Sequence, residues 1–194
     1  MKSPKHFFLI TGPPAVGKMT VGQILRDRLG YRLFHNHQSL ELGLTLFNWG
    51  EEELSTISNG IRQLVFKTVA ESSLIRGFIF TLVWGFELKE DWEYVEAIKD
   101  RFEDNGWHFH IVELESSQKT RIERNTTPNR LEHKPSKRDV ENSRDRILQM
   151  DQKHRMNSHL GELDQYAYLR INNDQLQPEK VVDIIVANFQ LINE

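Results

Sequence analysis

The sequence predicts an α/β protein of three-layer α/β/α architecture. It is expected to be one domain spanning residues 1–194, with a five-stranded parallel sheet and a lid inserted at 125–137. Three observations carry this. Five short apolar runs alternate with segments of helical spacing, the order that builds an open parallel sheet covered on both faces. The first run ends in a glycine-rich loop that opens a helix. A long polar segment interrupts the last third of the chain, and such a segment survives in a compact domain chiefly when it has a function.

The first strand is Phe7 to Ile10, a continuous apolar run suited to burial on both faces. Val21, Ile24, Leu25 and Leu29 then mark a helix that Gly30 ends. Residues 31–37, "YRLFHNH", read as the second strand. Leu54, Ile57, Ile61, Leu64, Val65, Thr68 and Val69 have helical spacing, with Asn59-Gly60 as an expected break into two helices. "GFIFTLVW" (77–84) is the third strand, rich in aromatic and β-branched residues. Trp92, Val95, Ile98 and Phe102 mark a helix closing at Asn105-Gly106, and "WHFHIVEL" (107–114) is the fourth strand.

A short basic helix with Arg121 and Arg124 follows, then the polar segment with its two prolines. Ser136 and Asp139 suggest a capping box for a helix running to about Asn157. "YAYLRI" (166–171) is the fifth strand, and Pro178 opens a last helix whose apolar face is Val181, Val182, Ile185, Val186 and Phe189.

The loop "GPPAVGKMT" (12–20) carries the sharpest chemistry. Gly12, Gly17 and Lys18 have the G-x-x-x-x-G-K spacing, placed between a buried strand and a helix. Glycines let backbone N–H groups turn inward onto phosphate oxygens, the helix N-terminus adds partial positive charge, and Lys18 reaches the β- and γ-phosphates. Gly12, Pro13, Pro14, Ala15, Val16, Gly17, Lys18, Met19 and Thr20 are therefore the candidate cofactor-binding set. The plain alternative is an ordinary Gly-Pro turn with a surface lysine. The hydroxyl usual after the lysine, which binds Mg²⁺, is replaced by Met19, and a threonine comes one place later.

Lysine, a residue without a hydroxyl, then threonine resembles the adenylate kinase group. More widely the chain resembles the P-loop kinases of small molecules, including shikimate and gluconate kinases. The resemblance implies ATP as cofactor, with GTP as the alternative, and Mg²⁺ held by phosphates and waters with no protein metal site. "HIVELESSQKTRIERN" is similar to their fourth strand and lid-entry helix, and "KRDVENSRDRI" to their lid exit. "YLRINNDQLQPEKVVDIIV" is similar to their fifth strand and adenine-side loop, which implies that Asn172 and Asn173 lie against the base.

Residues 119–146 hold nine Lys or Arg against five acids, in a chain of net charge −3. Phosphoryl transfer spreads charge over the γ-oxygens, and cations on a lid suit it. Lys18, Arg124, Arg130 and Arg144 are the candidate catalytic cations; a solvated, salt-bridged helix pair is the alternative.

The chain departs from shikimate and gluconate kinases at the end of the second strand, where acids give way to His35-Asn36-His37. The third strand also lacks an acid, so Glu41, Glu87 or Asp91 is the nearest carboxylate that could assist a metal. His35 and His37 alternate onto one strand face at its carboxyl end. Three roles stand for them: structure, acceptor binding or proton acceptance, and metal binding. His35 is the candidate base, and His35, Asn36, His37, Arg62 and Trp84 the candidate acceptor-binding residues. Trp49, Phe47 and Trp84 could stack on a flat ring, and Trp92 could join the lining. The few arginines in this region suggest an acceptor of little charge.

The expected function is transfer of the ATP γ-phosphoryl group to a hydroxyl of a small metabolite or drug-like compound. A slowly hydrolysing NTP switch and a polynucleotide-end kinase are the alternatives; net acidity argues against nucleic acid. Absence of cysteine excludes disulfides and thiolate metal sites and fits the cytoplasm. The Phe7–Ile10 run is too short for a signal peptide or membrane span. The expected state is monomer or homodimer.

Overall fold

The computed structural model describes residues 4–191; the expected domain bounds of 1–194 run three residues further at each end. Its elements are β1 (Lys5–Thr11), α1 (Lys18–Leu29), β2 (Arg32–His35), α2 (His37–Gly43), α3 (Glu52–Glu71), β3 (Gly77–Thr81) and α4 (Lys89–Glu103). There follow β4 (Trp107–Glu115), α5 (Gln118–Arg124), α6 (Pro128–His133), a 3₁₀ turn (Pro135–Lys137), α7 (Val140–Lys153), β5 (Ala167–Asn172) and α8 (Pro178–Asn188). The five strands form one parallel sheet in the order β2-β3-β1-β4-β5, as the alternation of apolar runs predicts.

Side chains of β1 alternate between two cores. Phe7 and Leu9 join Phe66, Phe80, Phe102 and Ile111 on the α3/α4 face. Phe8 and Ile10 join Val21, Leu25, Val112, Val181 and Ile185 on the α1/α8 face. With both faces covered, strand β1 reads as an unbroken apolar run. The carboxyl ends of all five strands therefore point to one edge of the sheet, where the loops of interest gather.

Several boundaries differ from the sequence expectations. Asn59-Gly60 does not break the helix: α3 runs unbroken from Glu52 to Glu71. Both residues are exposed, and the buried stripe of Leu54, Ser58, Arg62, Phe66 and Val69 outweighs the roughly 1 kcal/mol that a helical glycine costs. Strand β3 stops at Thr81, so Leu82 to Trp84 leave the sheet. Strand β2 stops at His35, Asn36 caps α2, and His37 opens that helix, so the two histidines do not share a strand face. Asp139 caps α7 by accepting the Asn142 N–H at 3.1 Å, whereas Ser136 turns away to Glu41. Helix α7 ends at Lys153, short of Asn157.

The loop after α7 is pinned instead by Glu113, a fully buried carboxylate of β4. Glu113 accepts from Asn157 Nδ2 (2.7 Å), Ser158 N–H (2.9 Å) and Oγ (2.6 Å), and Tyr168 OH (2.6 Å). Among the described residues no helix is long and apolar enough to cross a membrane.

Candidate functional site

The turn between β1 and α1 has an unusual backbone. Gly12 and Gly17 hold φ of 132° and 110°, and Ala15 is a non-glycine residue at φ 63°. A Cβ on Gly12 would lie 2.3 Å from the Leu114 carbonyl oxygen of the neighbouring strand, so no other residue fits there. The first turn of α1 leaves its backbone N–H groups without helical partners, facing the hollow of the loop. Lys18 folds back to donate from Nζ to the carbonyls of Gly12 (2.5 Å) and Pro13 (2.8 Å). Its basicity is lowered well below the ordinary lysine value, first by burial and then by Lys134, Arg130 and Arg121.

This loop floors a cavity of about 890 Å³ at the carboxyl edge of the sheet. Among the described residues, seven basic ones line it: Lys18, Arg124, Arg130, Lys134, Lys137, Arg146 and Lys153. The one acid on that described lining is Asp174, which is occupied by Ser116 Oγ (2.6 Å) and the Ser117 N–H (2.8 Å). Burial pushes Lys134 down to about 7, with Arg130 and Lys137 adding to it. Burial and the cations Arg146 and Arg130 push Lys137 down to about 8. Arg130 falls to about 10 by burial alone. Crowded, half-dry cations of this kind cost free energy until an anion joins them.

Each arginine has a separate place. Arg124 donates to Val16 O (3.1 Å), Asn173 Oδ1 (3.1 Å) and Asn173 O (2.7 Å), while Asn173 Nδ2 donates to Val16 O (2.9 Å). It braces the phosphate loop against the loop after β5. Arg121 makes a two-pronged ion pair with Asp151 (3.0 and 2.7 Å), joining α5 to α7. Arg130 donates to Asn125 Oδ1 (3.0 Å). Arg144 is exposed and does not line the cavity; Arg146, half a turn on, does. Helix α7 turns Ser143, Ile147 and Met150 inward at steps of four and three, and Arg146 borders that stripe. That periodicity is the signal that separates Arg146 from Arg144.

Of the other expected site residues, Pro14 to Thr20, Asn36, His37 and Asn173 line the cavity, while Gly12 and Pro13 form the base of the loop. Asn172 does not line it; its Oδ1 accepts the Asp174 N–H. His35, Arg62 and Trp84 are buried and do not line the cavity. The His35 ring is buried, with its value lowered to about 4 by burial, then by Lys134 and His133. Arg62 is buried and donates to Ser39 Oγ (2.9 Å), and Trp84 stacks on Phe86 within the core. Trp49 faces the 3₁₀ turn and α7, with Lys137 Nζ 5.1 Å and Arg146 Cζ 4.7 Å from its ring.

The residues fit a polyphosphate better than a protein-held metal. Among the described residues no three His, Cys, Asp or Glu side chains converge to hold an ion. Glu41, Glu87 and Asp91 are all engaged, by Ser136, His154 and the Gly85 N–H respectively. Thr20 Oγ1 accepts from Asn129 Nδ2 (3.2 Å), which links the start of α1 to α6.

No protein-family model matches the chain, and no curated protein does. Solved structures do match. A gluconokinase from Sinorhizobium meliloti 1021 aligns over 100% of this chain and 95% of its own, at TM-score 0.57 and 12% identity. A shikimate kinase from Bacteroides thetaiotaomicron aligns over 96% and 99%, at TM-score 0.56 and 17% identity. The tunicamycin resistance protein of Deinococcus radiodurans aligns over 97% of each chain, at TM-score 0.55 and 17% identity. The fold is that of the P-loop small-molecule kinases.

Proposed function

We propose that this chain is an ATP-dependent phosphotransferase that moves the γ-phosphoryl group to a hydroxyl of a small molecule. The observation that carries the proposal is the cavity itself: a glycine-rich phosphate loop faced by seven basic side chains and one already occupied acid among the described residues. The loop amides and Lys18 would hold the β- and γ-phosphates, and Arg130, Lys134, Lys137 and Arg146 would oppose the charge that develops during transfer. Arg124 and Asn173 would position the loop and the base-side turn. Mg²⁺, carried in on the phosphates and water, would supply charge neutralisation. Arg130 and Lys137 are buried in the cavity wall, which suits a small anion and disfavours a polynucleotide reading. The solved structures of like fold are named for gluconate, shikimate and tunicamycin, which supports a small acceptor.

Calorimetry with ATP and GTP in the presence of Mg²⁺ tests the site, and ADP release across a panel of hydroxyl compounds tests the transfer. Micromolar nucleotide binding with acceptor-dependent turnover is expected. Absence of binding by either nucleotide would overturn the reading, and turnover that never exceeds the acceptor-free background would favour a nucleotide switch.

A further inference from the structure

Transfer to a hydroxyl requires a group to take its proton. Resting on the kinase reading, we propose that His37 is that base, that Glu41 orients it, and that Ser136 of the lid fastens Glu41, so the base is completed only when the lid is seated.

Asn36 stands at the N-cap position of α2 and donates its N–H to Thr81 Oγ1 (3.3 Å), which ties the start of the helix to β3. His37 is its first residue, and Glu41 stands one turn on. His37 Nδ1 lies 3.1 Å from Glu41 Oε1. A neutral imidazole that donates from Nδ1 to a carboxylate carries its lone pair on Nε2. His37 lines the cavity that Lys18 also lines, whereas His35 does not. The register pairs His35 with Thr81 and Thr81 with Ile10, two strand spacings in all. At about 4.8 Å each, the ends of β2 and β1 stand roughly 10 Å apart with β3 between them, and His37 and Lys18 line one cavity beyond those strand ends.

The third member comes from the 3₁₀ turn. Glu41 accepts the Ser136 N–H on Oε2 (3.1 Å) and the Ser136 hydroxyl on Oε1 (2.5 Å). One carboxylate thus holds the imidazole and the lid segment together. The groups facing His37 are Glu41 on its own helix and Lys134 and Lys137 on the lid side. Burial pushes its value down to about 3, with those two lysines lowering it further against the raising effect of Glu41. Anionic phosphates beside Lys134 and Lys137 offset these cations, so the imidazole gains basicity when nucleotide binds. In the step, the hydroxyl oxygen bonds to the γ-phosphorus as the bond from phosphorus to the bridging oxygen breaks. That electron pair leaves on the nucleoside diphosphate, and the hydroxyl proton passes to His37 Nε2, where Glu41 stabilises the resulting imidazolium.

The test combines nitrogen-15 NMR of the histidine rings with rates in the full chain. The non-hydrolysable probe is Mg²⁺-AMP-PNP, and acceptor-free ATP hydrolysis lets water stand for the hydroxyl. In the wild type, His37 is expected in the Nδ1–H tautomer, with a titration midpoint that rises on adding Mg²⁺-AMP-PNP. His37→Gln should bind AMP-PNP within about twofold of wild type yet hydrolyse ATP on the order of 100-fold more slowly. Glu41→Gln should mix the tautomers and slow hydrolysis by about tenfold. Ser136→Ala should do the same more weakly. If His37→Gln does not fold, the wild-type tautomer and Glu41→Gln decide. Wild-type hydrolysis by His37→Gln, or an Nε2–H tautomer in the wild type, overturns the assignment. Failure of the wild type to bind AMP-PNP at all would instead remove the kinase reading, and the His37 assignment with it.

Discussion

Lys18 and Arg146 occupy opposite walls of one cavity, and the walls are held in different ways. Lys18 belongs to nine consecutive residues whose backbone is locked by two left-handed glycines, by Ala15 at φ 63°, and by the press of Gly12 against Leu114. Arg146 belongs to a wall assembled from α5, α6, the 3₁₀ turn and α7. That wall meets the first through polar side-chain contacts, Arg124 with Val16 and Asn129 with Thr20, and it meets α2 through Ser136 and Glu41. The first wall is held by its own backbone and the second by contacts between elements, so the first is expected to behave as rigid and the second as movable. Substitutions in the first should therefore act in an all-or-none manner, and those in the second by degrees.

The sharpest way to break this contrast is Lys18→Ala. Turnover should fall on the order of 1000-fold, while the thermal midpoint changes little, because removal of an amine of suppressed basicity offsets the loss of its bonds to the Gly12 and Pro13 carbonyls. Wild-type ADP release by this variant would end the contrast. Gly12→Ala drives a methyl into the Leu114 carbonyl at a left-handed φ and should cost roughly 2–4 kcal/mol in urea unfolding. A smaller loss would show that the loop yields.

Arg124→Ala removes the hydrogen bonds to Val16, Ser116 and Asn173 that brace the loops and should cost about 1.5–3 kcal/mol, with weaker nucleotide binding. On the movable wall, nucleotide binding should bring proton uptake. Free Lys134 and Lys137, at about 7 and 8, are substantially neutral at pH 8, and bound phosphates favour their charged forms. Calorimetry at pH 8 in HEPES and in Tris, buffers of different ionisation enthalpy, should differ by the equivalent of about one proton taken up. Proton release would show that the sign of the argument is wrong. The same depression makes the unfolded chain bind more protons between about pH 7 and 10, so these two lysines make stability rise with pH across that window. The smallest effect belongs to Arg144→Ala, expected within about 0.5 kcal/mol of wild type and with unchanged ADP release.

The rigid wall was legible in the sequence because everything it needs lies within nine residues: a buried strand end, glycines at fixed offsets, a lysine and a helix start. The sheet was legible for a similar reason, since apolar runs of four to eight residues report burial on both faces. The movable wall was not. Arg124, Arg130 and Arg144 look alike along the chain, yet one braces two loops, one is buried against Asn125, and one faces solvent. Their roles depend on helix phase and on partners as far as 108 positions away, which no local pattern encodes. For His35 and His37 the difference is a single residue: α2 begins at the point where a longer strand would have continued its alternation.

The cation–aromatic stack on Trp49 has an experimental use. Of the four tryptophans, Trp84 and Trp107 are 0% and 3% exposed, Trp92 packs on Trp84, and Trp49 is 40% exposed at the rim. Its indole is in contact with Lys137 and Arg146 of the opposite wall, so withdrawal of that wall strips two charges from one chromophore and leaves the others undisturbed. The protein thus carries a built-in optical gauge: emission from this single indole should shift as the cavity opens and closes, in real time and without any dye.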